Sequence, residues 1–227
     1  MRKNIALIPS YKPDDKLIKL VKELKKENIF VIIVDDGSGD EYRQIFEECK
    51  QYAHVISYGQ NKGKGYALKT GMLYIKENYK EFIIVTMDSD GQHTVKDALK
   101  LFDYIKNNQE ELVLGKRIRS NKTPIKSRVG NEITRIIYKV TTGINIYDTQ
   151  TGLRAFSDKL IDYMLEIKGD RYEYEMNVLL YLKKNNIKVK ELEIETIYIN
   201  NNNGSHFKGV KDSIKIYKQI IKYIFNK

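Results

Sequence analysis

Short strand-length apolar runs recur through the first half of the chain with helical patterns between them, and nothing else in the sequence restricts the fold as tightly. The runs fall at residues 4–8, 30–34, 54–58, 82–86 and 112–115. Phe30-Val31-Ile32-Ile33-Val34 and Phe82-Ile83-Ile84-Val85-Thr86 show no apolar/polar alternation, so each is a strand buried on both faces. Between them, Leu17, Leu20, Val21 and Leu24 form one helical stripe, and Ala67, Leu68, Met72 and Ile75 another. Asp14 and Asp15 offer N-cap chemistry ahead of the first stripe. Strand, helix, strand in this order predicts an α/β fold: a mostly parallel central sheet flanked by helices.

In such a sheet ligands bind at the carboxyl ends of the strands. Three polar signals follow directly on apolar runs: Pro9-Ser10-Tyr11, Asp35-Asp36, and Asp88-Ser89-Asp90. Polar loops without function would fall on both edges of the sheet, so their coincidence on one edge points to a site. Asp88 and Asp90 put two carboxylates on one tight turn. Hard cations such as Mg²⁺ and Mn²⁺ favour such oxygen ligands, shared with substrate phosphates.

The second half departs from simple alternation. Residues 127–142 read as a helix with a basic side, and Asp148-Thr149-Gln150-Thr151-Gly152 as a polar turn. Residues 171–184 read as a helix with Met176, Leu179, Leu180 and Leu182 inward, and 189–197 as a half-exposed strand. The final segment, 211–227, sets Ile214, Tyr217, Ile221 and Ile224 beside Lys211, Lys215, Lys218 and Lys222. Such a basic amphipathic helix either packs on the core or lies in a membrane interface.

At 227 residues the chain suits one domain with a C-terminal appendage. A single cysteine, Cys49, excludes an intrachain disulfide framework and fits a reducing cytoplasm. There is no secretory h-region, and no apolar run approaches the ~20 residues of a spanning helix. The net charge of +10 favours polyanionic partners: nucleic acid, anionic lipid or phosphorylated substrates. The basic residues are dispersed and the seventeen tyrosines follow no recognition motif, which argues against nucleic acid.

Taken together, the ordered motifs resemble glycosyltransferase family 2, with its GT-A nucleotide-sugar-binding fold, and more narrowly the polyprenyl-phosphate (dolichol-phosphate mannosyltransferase-like) branch. They are Ile8-Pro9-Ser10-Tyr11, Val34-Asp35-Asp36-Gly37-Ser38, Asn61-Lys62-Gly63-Lys64-Gly65 with Ala67 and Gly71, Asp88-Ser89-Asp90-Gly91-Gln92-His93, Gly115-Lys116-Arg117, and Asp148-Thr149-Gln150-Thr151-Gly152-Leu153-Arg154. The resemblance implies a glycosyltransferase domain over 1–210, with an acceptor-side region toward its C-terminal end and the basic helix of 211–227 beyond it. It also implies a nucleoside pocket lined by Pro9, Tyr11, Val34 and Asp36, with Tyr11 stacking and Asp36 accepting from a base N–H. Asp88 and Asp90 would hold the metal on the donor diphosphate, with Ser89 and Gln92 beside it. Arg117 would add a forked cation for phosphate oxygens. His206 aligns with a lysine that meets donor phosphate in that branch.

Some positions depart from the branch pattern. Lys12-Pro13 replaces an Asn-Glu pair, Asn200 an arginine, and Glu132 a serine that helps hold acceptor phosphate after Arg128. The nucleotide is therefore left open between UDP and GDP sugars, and the acceptor between a polyprenyl phosphate and a glycan of capsule, teichoic acid or cell wall. The implied reaction is metal-dependent and inverting. A lipid-phosphate acceptor needs no general base, whereas a sugar hydroxyl does, with Asp148 the leading candidate and Glu173 and Glu175 behind it. Asp90, Arg117 and Asp148 are thus the expected catalytic set. Many members of that branch carry C-terminal transmembrane helices and no such run is found here, so the expected place is the cytoplasm or, peripherally, the inner membrane face, through the terminal helix or a membrane partner protein. A domain that only binds nucleotide is the non-catalytic alternative.

Overall fold

The computed structural model of the chain describes residues 2–118 and 125–195 together with 220, 221 and 223, and of residues 125–130 the backbone alone. The strands are β1 (Lys3–Ser10), β2 (Phe30–Asp35), β3 (His54–Ser57), β4 (Phe82–Thr86), β5 (Glu111–Arg117), β6 (Arg154–Ser157) and β7 (Lys188–Ile194). The helices are α1 (Lys16–Lys26), α2 (Arg43–Cys49), α3 (Lys64–Asn78), α4 (Val95–Asn107), α5 (Ile125–Thr142), α6 (Ile161–Glu166) and α7 (Glu173–Leu180).

The strands form one seven-stranded sheet in the order β3-β2-β1-β4-β6-β5-β7. β1 pairs in parallel with β2 and β4, β2 with β3, and β5 with β7; β6 lies antiparallel between β4 and β5. All strands but β6 therefore point the same way, and the ends of β1, β2, β4 and β5 share one edge with the start of β6. The expected mostly parallel α/β sheet is what the chain forms. β6 escaped the sequence reading because Arg-Ala-Phe-Ser is too short, with too little apolar character, to stand out.

The two-sided burial follows from the period of the strand. In β1, Ile5 and Leu7 face a core with Ile32, Val34, Ala67, Met72, Tyr138 and Tyr174, while Ala6 and Ile8 face another with Leu17, Val21, Phe46, Leu101 and Phe102. α1, α2 and α4 thus cover one face, and α3 and the helices after β5 the other. α4 starts at Thr94, whose hydroxyl accepts from the amide of Asp97 at 3.0 Å.

The helix expected over 171–184 is shorter, ending at Leu180 and followed by a tight turn, Lys183–Asn185, with Asn186 left-handed (φ 55°). The strand expected from 189 is β7, and the helix expected over 127–142 is α5. Of the segment 211–227 only Ile220, Ile221 and Tyr223 are described, so the proposed boundary at 210 lies outside the described residues.

Candidate functional site

The ends of β1 and β2 are tied together by main chain. The Asp36 amide donates to the Ser10 carbonyl at 2.8 Å, the Lys12 amide to the Ser38 hydroxyl at 2.8 Å, and the Ser38 amide to Asp35 Oδ1 at 2.9 Å. Asp36 then reaches across to the segment after β3. Its carboxylate accepts from the Tyr58 hydroxyl, Asn61 Nδ2 and the Lys62 amide, each at 2.8 Å, and from the Gly63 amide, also at 2.8 Å. Both oxygens are thus engaged within the chain. In this arrangement Asp36 fixes the loop that opens α3, and the free acceptor expected for a base N–H is not what it presents. Gly63 needs its φ of +107°, and a Cβ there would lie 2.5 Å from the Asp170 carbonyl oxygen.

The other expected pocket residues separate. Tyr11 keeps part of its ring at the surface, with Lys12 Nζ 5.6 Å from its centre. Pro9 is buried, and Val34 is wholly buried, its Cγ2 only 3.1 Å from where a Gly71 Cβ would sit on α3. The Val34 side chain is therefore packed in the core against α3.

At the end of β4 the acidic turn meets α3 and α7. Lys64, in the first turn of α3, places Nζ 2.6 Å from Asp88 Oδ1 and 3.1 Å from Glu175 Oε1. Arg154 Nη1 donates to the Glu175 carbonyl at 2.8 Å, and its Nε lies 4.0 Å from the Glu175 carboxylate. His93 is buried, with Nε2 3.5 Å from Asp88 Oδ2 and neither ring nitrogen in a hydrogen bond among the described residues. Beneath the carboxylate runs Gly152, where a Cβ would stand 2.2 Å from Asp88 Oδ2.

These contacts drive the two acids apart. Burial pushes the Asp88 carboxyl up, but the Lys64 charge and the His93 contact outweigh it and hold the group far below the usual carboxylate range. Burial and then the neighbouring Asp88 charge raise Asp90, which accepts one hydrogen bond, from the Gln92 amide at 3.0 Å. Burial would lower Lys64, yet Asp88 and Glu175 raise it on balance. Two adjacent carboxylates, one destabilised by the other, are a donor set that a hard dication suits. Among the described residues no group of three His, Cys, Asp or Glu side chains could hold a metal ion, so further ligands would come from substrate or water. Ser89 lies between the two acids and Gln92 just after them, both partly exposed.

At the end of β5, Arg117 grips Asp148 with a fork, Nε to Oδ2 at 2.7 Å and Nη2 to Oδ1 at 3.0 Å. The amides of Tyr147 and Asp148 both donate to Glu191 of β7 at 2.9 Å, which fixes the loop. Burial pushes the Asp148 carboxyl up, but the Arg117 charge and hydrogen bonds outweigh it and hold it below the ordinary value. A buried carboxylate so committed is a poor proton acceptor, which weighs against the base role expected of Asp148. Glu175 is held by Lys64, and Glu173 Oε1 receives the amides of Asp170 and Arg171 at 3.3 Å. Tyr147 lies between two cations, Lys116 Nζ at 5.3 Å and the Arg135 guanidinium at 5.1 Å from its ring centre.

His206, Asn200 and the side chain of Arg128 lie outside the described residues. Glu132 pairs with Arg135 at 3.2 Å. The sequence motifs contain Lys64 and Arg154 but give neither a role. The signal for Lys64 was its position: a cation just past a strand-end glycine, opening a helix.

A family model described as "Glycosyl transferase family 2" matches residues 6–165. The UDP-N-acetylglucosamine–dolichyl-phosphate N-acetylglucosaminyltransferase of Methanococcus voltae is 34% identical over 85% of this chain and 84% of its own length. The dolichyl-phosphate beta-glucosyltransferase of Saccharomyces cerevisiae is 26% identical over 95% of this chain and 72% of its own. Among solved structures, mannosyl-3-phosphoglycerate synthase from Rubrobacter xylanophilus superposes with a TM-score of 0.69 over 98% of this chain and 73% of that one, at 15% identity, a likeness of fold.

Proposed function

The chain belongs to glycosyltransferase family 2, and from that premise we propose that it transfers a sugar, with inversion, from a nucleotide-sugar to the phosphate of a polyprenyl-type lipid. The observation that carries this reading is the fork between Arg117 and Asp148. With its best-placed carboxylate spent on an arginine, the site is poorly equipped to deprotonate a sugar hydroxyl. A phosphate acceptor brings an oxygen that is already anionic and asks only for cations to position it. The names of the relatives from M. voltae and S. cerevisiae support the same acceptor class, and the first also supports a UDP-sugar as donor.

Within this reading Tyr11 stacks on the nucleobase at the end of β1. Asp36 acts at one remove, by holding the Asn61-Lys62-Gly63 loop. Asp88 and Asp90 hold Mg²⁺ or Mn²⁺, which when bound supplies Lewis-acid neutralisation of the departing diphosphate. Lys64 orients Asp88 from α3, and Gly152 leaves the space that its carboxylate fills. Arg117, itself oriented by Asp148, sets positive charge on the acceptor side of the anomeric carbon. The acceptor oxygen attacks from the face opposite the nucleotide, and the proton inventory needs no base. No helix of the described residues is long and apolar enough to cross a membrane. In this reading the lipid is met peripherally, from the cytoplasmic side.

The test uses the full chain with Mn²⁺ and radiolabelled UDP-N-acetylglucosamine or GDP-mannose. Three acceptors are offered: a polyprenyl phosphate, the corresponding polyprenol without phosphate, and an oligosaccharide. Label is expected in the polyprenyl phosphate alone. Transfer to the oligosaccharide but not to the lipid phosphate would overturn the reading in favour of a polysaccharide-building enzyme.

A further inference from the structure

The two oxygens of Asp88 are held unequally. Lys64 Nζ stands 2.6 Å from Oδ1, a short charge-assisted contact. Oδ2 faces His93 Nε2 at 3.5 Å. That histidine is only 5% exposed, and neither of its ring nitrogens has a hydrogen-bond partner among the described residues. A buried polar group left unpaired bears its full desolvation cost, so the orphaned ring calls for a physical reason. Asp88 Oδ2 is an acceptor that it already approaches. Lys64, for its part, has a second partner. Glu175 Oε1 of α7 lies 3.1 Å from Nζ, and Glu175 is fixed in turn by Arg154, whose Nη1 donates to its carbonyl at 2.8 Å. The Lys64 and Glu175 side chains are 16% and 13% exposed, so water offers little alternative to either charge.

A dication on Asp88 competes with that ammonium. Mg²⁺ binds a carboxylate oxygen at about 2.0–2.1 Å, nearer than an ammonium can come, and two cations on one oxygen repel each other. The charges of the cluster lead to the same result. Lys64 and Arg154 set two positive charges against the three negative ones of Asp88, Asp90 and Glu175. A dication alone would leave this sheltered group net positive, whereas one that arrives with a diphosphate brings its own compensation.

We propose that Asp88 has two catches, Lys64 and His93, and passes from the first to the second when the nucleoside diphosphate and its dication arrive. Before loading, the Lys64 ammonium stands in for the dication on Oδ1. On loading, Lys64 moves wholly to Glu175, which is already within reach, and the carboxylate turns toward His93. The ring, in the tautomer that carries its proton on Nε2, then donates to Oδ2. Ligating carboxylates are themselves held by hydrogen bonds from behind, and a buried donor waiting beside Oδ2 fits that part. Lys64 and His93 are positioning residues in this scheme, and together they make metal binding conditional on the nucleotide. The scheme rests on the reading of Asp88 and Asp90 as the metal's ligands.

The test is Mn²⁺ binding to the full chain, read from the free-ion signal in electron paramagnetic resonance, alone, with UDP and with GDP. Wild type is compared with Lys64→Met, His93→Leu, His93→Gln and Asp90→Ala, each first shown by its melting curve to be folded. Wild type should bind Mn²⁺ weakly alone and roughly tenfold or more tightly with the nucleotide it accepts. Lys64→Met should bind Mn²⁺ alone about tenfold more tightly than wild type, with little further gain from nucleotide. Should that variant not fold, Lys64→Gln, neutral but still a donor to both acids, takes its place. His93→Leu alters no charge of a neutral ring, yet should weaken Mn²⁺ in the nucleotide complex about tenfold, and His93→Gln should recover most of the loss. Mn²⁺ binding by Lys64→Met no tighter than wild type overturns the proposal. So does His93→Leu that matches wild type, or wild-type affinity that neither nucleotide changes. If Asp90→Ala keeps wild-type Mn²⁺ affinity with nucleotide, the metal reading itself falls and the two catches with it. If Asp90→Ala loses the ion while Lys64→Met gains nothing, the metal reading stands and the exchange of catches alone falls.

Discussion

The pair Arg117–Asp148 shows how one residue's role is set by another far from it in sequence. Alone, Asp148 is a carboxylate in a polar turn and a candidate base; gripped by a guanidinium fork it becomes an anchor. Its depressed pKa carries a sign that can be tested. A lowered folded-state value adds stability above the unfolded value of 3.8, and that stability is lost as pH falls through the folded value. In Arg117→Met burial is opposed only by the main-chain hydrogen bonds from the amides of residue 117 and Gln150, and the Asp148 carboxyl rises relative to wild type. We expect that variant to lose about 3 kcal/mol at neutral pH, and distinctly less near the ordinary aspartate pKa, where the carboxyl is protonated. Urea unfolding at the two pH values measures this; an equal deficit at both would show that the pair carries no such linkage. Asp88 belongs to the same class of case. Its position on a turn after a buried strand was legible, but its clasp by Lys64 was not, because nothing in the spacing of the two segments announces that α3 begins beside β4.

At the scale of elements, apolar runs identified the parallel strands because a strand buried on both faces leaves no alternation to misread. The short antiparallel β6 was invisible for the opposite reason: four residues offer too few positions for any period to emerge. Its insertion matters, since it is what brings the 148–154 loop, Gly152 and Arg154 under Asp88. Helix approach is set at glycines. Gly65 of α3 faces Tyr174 of α7, and a Cβ there would lie 2.5 Å from the Tyr174 Cβ and 2.9 Å from the Gly169 carbonyl oxygen. Gly65→Ala should therefore wedge α3 from α7 and cost about 1–3 kcal/mol, read as a lower urea midpoint with an unchanged slope. An unaltered midpoint would mean the two helices have slack that the packing does not suggest.

For the whole molecule, the candidate site is a shared edge, so occupying it should stabilise several elements at once. Saturating UDP with Mn²⁺, at about a hundred times its dissociation constant, should add ~2.7 kcal/mol, seen as a rise of several degrees in the melting temperature. Chelation of the metal should remove most of it, and GDP should give less. Equal shifts with and without metal would argue against Asp88 and Asp90 as its ligands. The sequence by itself determined the fold class, the family and the sheet edge on which the candidate site residues gather. Strand periodicity and the polar residues that end each run are local properties, and parallel pairing carries them all to one side. Only the tertiary structure decided which of those residues are spoken for: Asp36 by the loop before α3, Val34 by the core, Asp88 by Lys64, Asp148 by Arg117. It also decided that the outward face of α5 is the apolar one. The reason is physical. Periodicity says that a helix has two faces, but which face is covered, and which carboxylate meets which cation, depends on contacts between segments that the chain brings together only when it folds.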